Sequence, residues 1–254
     1  MTVIITDKDR YEYRIVCDEG YLVAKMSSEP NRGSGDGSDY FDLNNCSYHA
    51  LLKRLDVFNC AEIPAVLKDA TLENITNDKT PTPSINRAYS WIVKWSQSDP
   101  LPVRGILLSG PSGAGKSYAL AGLIRYVTLE LGVSCLFVDF RQFLLQLKKC
   151  YEGNGQDFRL FEKLRRVPIL FLDDVGISRN SEWAGDVIRT IISQRYNDVK
   201  RTFLTTDLSI TSSSQNAVDT FTKTVGVHCA SRLRQMCYWL PFIGPDRRYL
   251  SDPL

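Results

Sequence analysis

Histidine is almost absent from this chain. Its two copies, His49 and His228, stand too far apart in sequence to suggest a metal centre. Seven cysteines, at 17, 46, 60, 135, 150, 229 and 237, are odd in number, and no pair has Cys-x-x-Cys spacing. That excludes a disulfide framework or a zinc ribbon and fits free thiols in a reducing compartment. No apolar run approaches the roughly 20 residues that span a bilayer, and the first residues lack a signal-peptide core. The expected setting is the cytoplasm, with no membrane partner. No internal repeat is visible either.

An apolar content of 43% and a charged content of 24% are ordinary for a globular protein. The net charge of +2 is unevenly placed. Residues 1–100 hold 11 Lys+Arg against 15 Asp+Glu, a net of −4, and residues 101–254 hold 20 against 14, a net of +6. An acidic front on a basic back predicts two parts with different partners, the basic part being the one a polyanion favours.

Residues 3–6, 11–16 and 21–26 are rich in β-branched and aromatic residues and predict three short strands, with turns at 7–9 and 18–20. Three strands bury no core alone. Residues 27–39 have linker composition. Helices are expected at 47–58 and, after the breakers Pro81 and Pro83, at 84–95. From residue 103 strands alternate with helices: strands at 103–109, 133–139, 169–172, 202–205 and 238–242, helices at 116–131, 141–151, 157–165, 182–198 and 227–236. This alternation predicts a five-stranded parallel sheet covered on both faces. A partner-binding appendage at 1–60 and a main domain at 61–254 are the expected units.

Gly110, Pro111, Ser112, Gly113, Ala114, Gly115, Lys116 and Ser117 fit G-x-x-x-x-G-K-[ST] at every fixed position. Glycines let backbone N–H groups turn inward around phosphates, Lys116 brings a positive charge to them, and the Ser117 hydroxyl binds Mg²⁺. The helix that follows aims its N-terminal dipole at the anion. An apolar strand before and an apolar-periodic helix after give the motif its required setting. A second apolar strand ends in Asp173 and Asp174. Asp173 is placed to hold Mg²⁺ and Asp174 to polarise the attacking water as general base. No Asn-Lys-x-Asp element for guanine occurs, so the expected cofactors are ATP and Mg²⁺.

The assembled motifs resemble those of the DnaC/IstB-like AAA+ ATPases, the bacterial replicative-helicase loaders and their transposition-helper relatives. The resemblance covers about residues 60–250. Ile63-Pro64 with residues 69–75 is similar to the segment that lies beside the adenine in that family. Arg195-Tyr196 precedes the fourth strand as in the family. Thr205, Thr206, Asp207, Leu208 and Ser209 sit where sensor 1 is carried, Ser231-Arg232-Leu233 resembles the arginine-finger segment, and residues 244–248 resemble a sensor 2 ending.

The resemblance implies an AAA+ P-loop NTPase core without a C-terminal lid domain, joined to a small N-terminal β/α appendage. It implies an ATPase coupled to assembly on DNA, expected to be slow because Asp207 departs from the family's pattern. The implied partners are single-stranded DNA, a replicative helicase and further copies of the chain. The alternatives are an IstB-like helper that takes duplex DNA and a transposase, and an adaptor that binds ATP with little hydrolysis. A small-molecule P-loop kinase would have little use for Arg232.

Arg232 becomes a finger acting on a neighbour's ATP, and Arg248 a contact to the γ-phosphate. Asp207 departs from the family's Asn and brings a third carboxylate toward that phosphate, where an amide could have donated. The two helices between the second and third strands carry Arg141, Lys148, Lys149, Tyr151, Arg159, Lys163, Arg165 and Arg166. In the family this insertion tracks DNA, which singles out Lys148, Lys149 and Tyr151 at the end of its first helix.

Overall fold

The computed structural model describes residues 3–6, 12–18, 21–26, 47–78, 81–152, 157–176, 182–211 and 219–249. The expected turn at 7–9 and the linker at 27–39 lie outside the described residues. Strands β1 (Val3–Thr6), β2 (Glu12–Asp18) and β3 (Tyr21–Met26) form an antiparallel sheet in that order. Helix α1 (Ser47–Asn59) adjoins β3.

A 3-10 turn at Ala65–Leu67 and the short helix α2 (Leu72–Thr76) follow, neither foreseen as an element. Both fall in a segment too short to show a period. Thr71 caps α2, its hydroxyl accepting from Asn74 N. Helix α3 (Pro83–Ser96) starts as its sequence dictates, with Thr82 as N-cap and proline in the first turn.

The main domain then alternates as expected: β4 (Gly105–Ser109), α4 (Lys116–Leu129), β5 (Cys135–Asp139), α5 (Phe140–Glu152), α6 (Asp157–Arg166), β6 (Ile169–Asp173), α7 (Glu182–Asn197), β7 (Arg201–Thr206), α8 (Thr220–Val225), α9 (Val227–Met236) and β8 (Cys237–Pro241). Of these only α8 was not anticipated. It is a six-residue helix capped by Asp219, whose carboxylate accepts from Thr222 N at 2.7 Å.

The sheet runs in the order β5-β6-β7-β4-β8 and every pairing is parallel. Period-two alternation splits its side chains between two cores. Ile106, Leu108, Ile169, Phe171 and Phe203 face α3 and α4, and Leu107, Leu170, Leu172 and Leu204 face α5 to α9. The β5 edge is covered, since Phe137 N–H donates to Ala61 O at 2.8 Å. Because all strands are parallel, their carboxyl ends share one rim, where Asp139 pairs in register with Asp173 and Ser109 with Thr206. Among the described residues no helix is long and apolar enough to cross a membrane.

Arg195 fastens the outer part of this layer. It is fully buried in α7. Nε donates to the Thr202 hydroxyl at 3.0 Å, Nη1 to the carbonyls of Leu164 (2.6 Å) and Val167 (3.0 Å), and Nη2 to that of Arg201 (2.5 Å). One guanidinium thus gathers the end of α6, the entry to β6 and the start of β7. Desolvation brings its pKa down to about 9. Arg195→Ala leaves these carbonyls unpaired and should cost about 3 kcal/mol or more. Urea unfolding is the measurement, and a midpoint like wild type would remove the anchoring role.

Candidate functional site

A cleft of about 960 Å³ opens along the rim of the sheet. Its phosphate side is the loop between β4 and α4. Gly113 at φ 79° and Gly115 at φ 100° hold left-handed conformations that other residues avoid, and Gly115 also serves as the N-cap of α4. Gly113 has a second reason to be glycine, since a Cβ there would come 2.1 Å from the Asp246 carboxyl carbon. Lys116 is 8% exposed, and its ammonium donates to the carbonyls of Gly110 (2.8 Å) and Pro111 (2.9 Å). Burial lowers its pKa, opposed by the charges of Asp207 and Asp173. Ala114 packs in the core behind the loop.

The acid side is one hydrogen-bonded unit. Asp173 Oδ1 accepts from the Ser117 hydroxyl at 2.7 Å and from the Thr205 hydroxyl at 2.6 Å. Thr205 Oγ1 in turn accepts from Asp174 N at 2.8 Å, and Val175 N donates to Thr205 O at the same distance. Burial raises the pKa of both Asp173 and Asp174. Asp174 sits at φ 54°, a left-handed conformation that costs a non-glycine residue about 1–2 kcal/mol. That turn swings its carboxylate out of the strand line and onto Arg141, whose Nε lies 2.9 Å from Oδ2.

Ser117 and Asp173, already joined by a hydrogen bond, form the donor set expected to hold Mg²⁺, a hydroxyl and a carboxylate suited to a hard cation.

Other expected residues fall as follows. Asp207 lines the cleft, with Oδ1 so near Gly176 that a Cβ there would come within 2.6 Å of it. Arg248 lines it too, Nη2 lying 3.5 Å from the Ser112 hydroxyl. Arg232 is not in this group. It donates to the Ser193 hydroxyl and lies over the Tyr196 ring, on the surface between α7 and α9. Lys148, Lys149 and Tyr151 are exposed at the end of α5, away from the cleft.

Two readings of the basic residues change. Arg141, grouped by sequence with the other cations of the insertion, belongs to the cleft through Asp174. Lys163, Arg165 and Arg166 are engaged by acids: Lys163 by Glu62, Arg165 by Glu162 and Asp198, Arg166 by Glu162. The pairs to Glu62 and Asp198 join α6 to its neighbours and those to Glu162 lie within the helix, so α6 offers less free positive charge than its sequence suggests.

Sequence reasoning also missed Thr205 as a support for both acids, and Arg247. Arg247 lines the cleft, pairs with Asp78 at 2.5 Å and donates its backbone N–H to Gly113 O. Its signal, a second arginine beside Arg248, was visible; its partner, 169 residues away, was not.

A P-loop strand flanked by β7 and β8, with the paired acids on the next strand but one, defines an AAA+ P-loop ATP-binding domain. The comparisons agree. The family described as IstB-like ATP binding protein matches residues 102–226. YqaM of Bacillus subtilis, described as uncharacterized, is 23% identical over 251 residues, covering 94% of this chain and 75% of YqaM. The replicative helicase loader DnaI of the same organism is 33% identical over 110 residues, 42% of this chain and only 34% of DnaI. A crystal structure of the DnaC helicase loader superposes with a TM-score of 0.60 at 26% identity, covering 70% of this chain and 98% of that one. In its AAA+ P-loop core the chain is thus similar to the IstB-like ATP-binding proteins and to the DnaC and DnaI helicase loaders.

Thr205→Val keeps shape while removing a donor to Asp173 and an acceptor for Asp174 N. Support of this kind around metal and acid groups is worth about 10–100-fold in activity. Phosphate release by the variant should fall in that range with its fold retained; an unchanged rate would mean that Asp173 needs Ser117 alone.

Proposed function

We propose that this chain is a slow ATPase that assembles on single-stranded DNA and loads a replicative helicase. The observation that carries the reading is a cleft with its phosphate, metal and acid groups in place while Arg232 lies outside it. This fits a finger given to a neighbouring copy, so that ATP joins subunits, and fingers of this kind stabilise charge on the transferring phosphoryl group. Ser117 and Asp173 hold Mg²⁺, Lys116 and Arg248 face the terminal phosphates, and Asp174 orients the water. Residues 1–60, the acidic part, form the partner-binding appendage, and residues 61–254 form the ATPase.

The DNA-facing element is the end of α5. Lys148 Nζ lies 5.4 Å from the centroid of Trp183, and the Tyr151 ring stands edge-on to Trp183 at 6.2 Å. Cations beside aromatic rings suit phosphate contact with base stacking. A transposition helper on duplex DNA is the second reading, favoured by the match to the IstB-like family.

The test is ATP-dependent binding of fluorescent single-stranded and duplex oligonucleotides across a salt series. Single strands should bind more tightly. Replacing Lys148 and Lys149 together by Ala should weaken binding and reduce the log–log salt slope by about 1.4, or about 0.7 for each lost phosphate contact. An unchanged slope returns both lysines to a solvated face, and tighter duplex binding favours the second reading.

Asp207→Asn should raise ATP turnover. It removes one negative charge from a cleft that already holds Asp139, Asp173 and Asp174, and it adds a donor at nearly the same shape. Steady-state phosphate release with single-stranded DNA decides this, and a slower variant would show that the carboxylate itself is used.

A further inference from the structure

The sheet ends at β8, and helix α3 packs against that strand. Arg87, Trp91 and Lys94 fall on one face of α3, with both cations exposed. Lys94 Nζ lies 5.6 Å from the centroid of the Trp91 ring. Trp91 meets the Tyr238 ring of β8 at 4.4 Å between centroids. The Arg104 guanidinium lies over Tyr238 in turn, with Cζ 4.0 Å from the centroid. Ammonium, indole, phenol and guanidinium thus form one row across the edge of the sheet.

These cations have no acids to meet. Neither α3 nor α9 nor β8 contains Asp or Glu. Elsewhere the exposed cations find carboxylates, as Arg141 does in Asp174, Lys163 in Glu62 and Arg189 in Asp186. Among the described residues Arg87, Lys94 and Arg104 form no ion pair. Arg234 carries the row onward over Trp239, with Cζ 3.9 Å from the centroid, and it alone has an acid, Asp219 at 3.2 Å. A ring attracts a cation through its quadrupole and leaves the net charge in place, so the face stays positive and suits a polyanion.

The edge is not open to an added strand. Pro241 has no N–H, and its carbonyl accepts from the Ser84 hydroxyl at 2.7 Å. The Cys237 carbonyl accepts from Arg104 Nη2 at 3.0 Å. Recognition here therefore falls to side chains. Trp91 and Tyr238 are half-buried, so part of each ring stands open beside the cations. Cations next to open aromatic rings are what a groove needs to track a phosphate backbone and hold unpaired bases. The rings also restrain Lys94 and Arg104 before a ligand arrives, so less side-chain freedom is lost on binding.

We propose that this edge is a second surface for single-stranded DNA: Arg87, Lys94 and Arg104 meet its phosphates, and Trp91 and Tyr238 lie beside its bases. The proposal rests on the reading of the chain as a DNA-binding ATPase and adds a surface separate from α5. Helix α5 follows β5, the opposite edge of the sheet, and four strand spacings, about 19 Å, lie between the two edges. The two surfaces therefore hold different stretches of a strand.

The test is binding of fluorescent oligothymidine to the full chain, with ATP, across a salt series. Arg87→Ala combined with Lys94→Ala should lower the log–log slope by about 1.4, or about 0.7 for each lost phosphate contact. A duplex of the same length should keep its slope. Lys53→Ala combined with Arg54→Ala, both exposed on α1, is the control and should leave the oligothymidine slope as it is. An unchanged slope in the Arg87 and Lys94 variant overturns the proposal. An equal loss in the control overturns it too, because net charge alone then explains the effect, and an equal loss on duplex overturns the single-strand assignment. Poly-glutamate bound by wild type as tightly as oligothymidine would make the edge a site for acidic peptide instead. If wild type binds no oligothymidine, the DNA reading of the chain fails and this surface with it. If wild type binds and only the Lys148 and Lys149 variant lowers the slope, this surface alone is wrong.

Discussion

Asp173 is the group on which the site depends. It ends an apolar strand, its burial raises its pKa, and the proposed Mg²⁺ site would need it ionised. A carboxylate in that position needs donors, and the fold brings two hydroxyls to one oxygen: Ser117 from the start of α4 and Thr205 from β7. The strand order makes this possible. β7 lies between the acid strand β6 and the P-loop strand β4, so the residue that bridges them comes from the strand in between. Thr205 performs that task twice, donating to one acid and accepting from the backbone of the next. Gly110 N–H donates to Thr206 O at 3.1 Å, so the P-loop too is hung on β7.

Around that unit the charges nearly balance without nucleotide. Asp139, Asp173, Asp174 and Asp207 face Lys116, Arg141, Arg247 and Arg248 along one cleft. Several of these cations are occupied: Lys116 by loop carbonyls, Arg141 by Asp174, Arg247 by Asp78. Phosphates entering the cleft would compete for these donors, and exchange costs little only where the pair is solvent-accessible. Arg141 and Asp174 are 62% and 39% exposed, so their pair is of this exchangeable kind.

The sequence made legible whatever is local. The P-loop is eight contiguous residues with a fixed spacing; the acid strand is an apolar run with two carboxylates at its end. The alternation of strands with helices and the breakers Pro81 and Pro83 at the start of α3 were equally plain. What stayed hidden depends on contacts between distant residues or on elements too short to show a period. Thr205 looked like one of two threonines in a strand, and only the register of β7 beside β6 shows that it supports both acids. Arg141 looked like one more cation in a basic insertion, because its distance from Asp174 is set by how β5 lies against β6. Lys163 and Arg165 looked free because Glu62 and Asp198 come from other elements, whereas the partner of Arg166, Glu162, stands four residues before it on the same helix. Helices α2 and α8, of five and six residues, are stable only as packed pieces of the domain.

Helix α5 ties these themes together. Its first turn is fixed at the cleft: Asp139 Oδ1 accepts from Gln142 N at 3.0 Å, and Arg141 meets Asp174. Its last turn carries Lys148 and Tyr151 against Trp183. Thirteen helical residues rise about 20 Å, and the helix is anchored between its ends through Phe143 and Leu147, so one packed element spans the distance from the second acid to the exposed Lys148 and Tyr151.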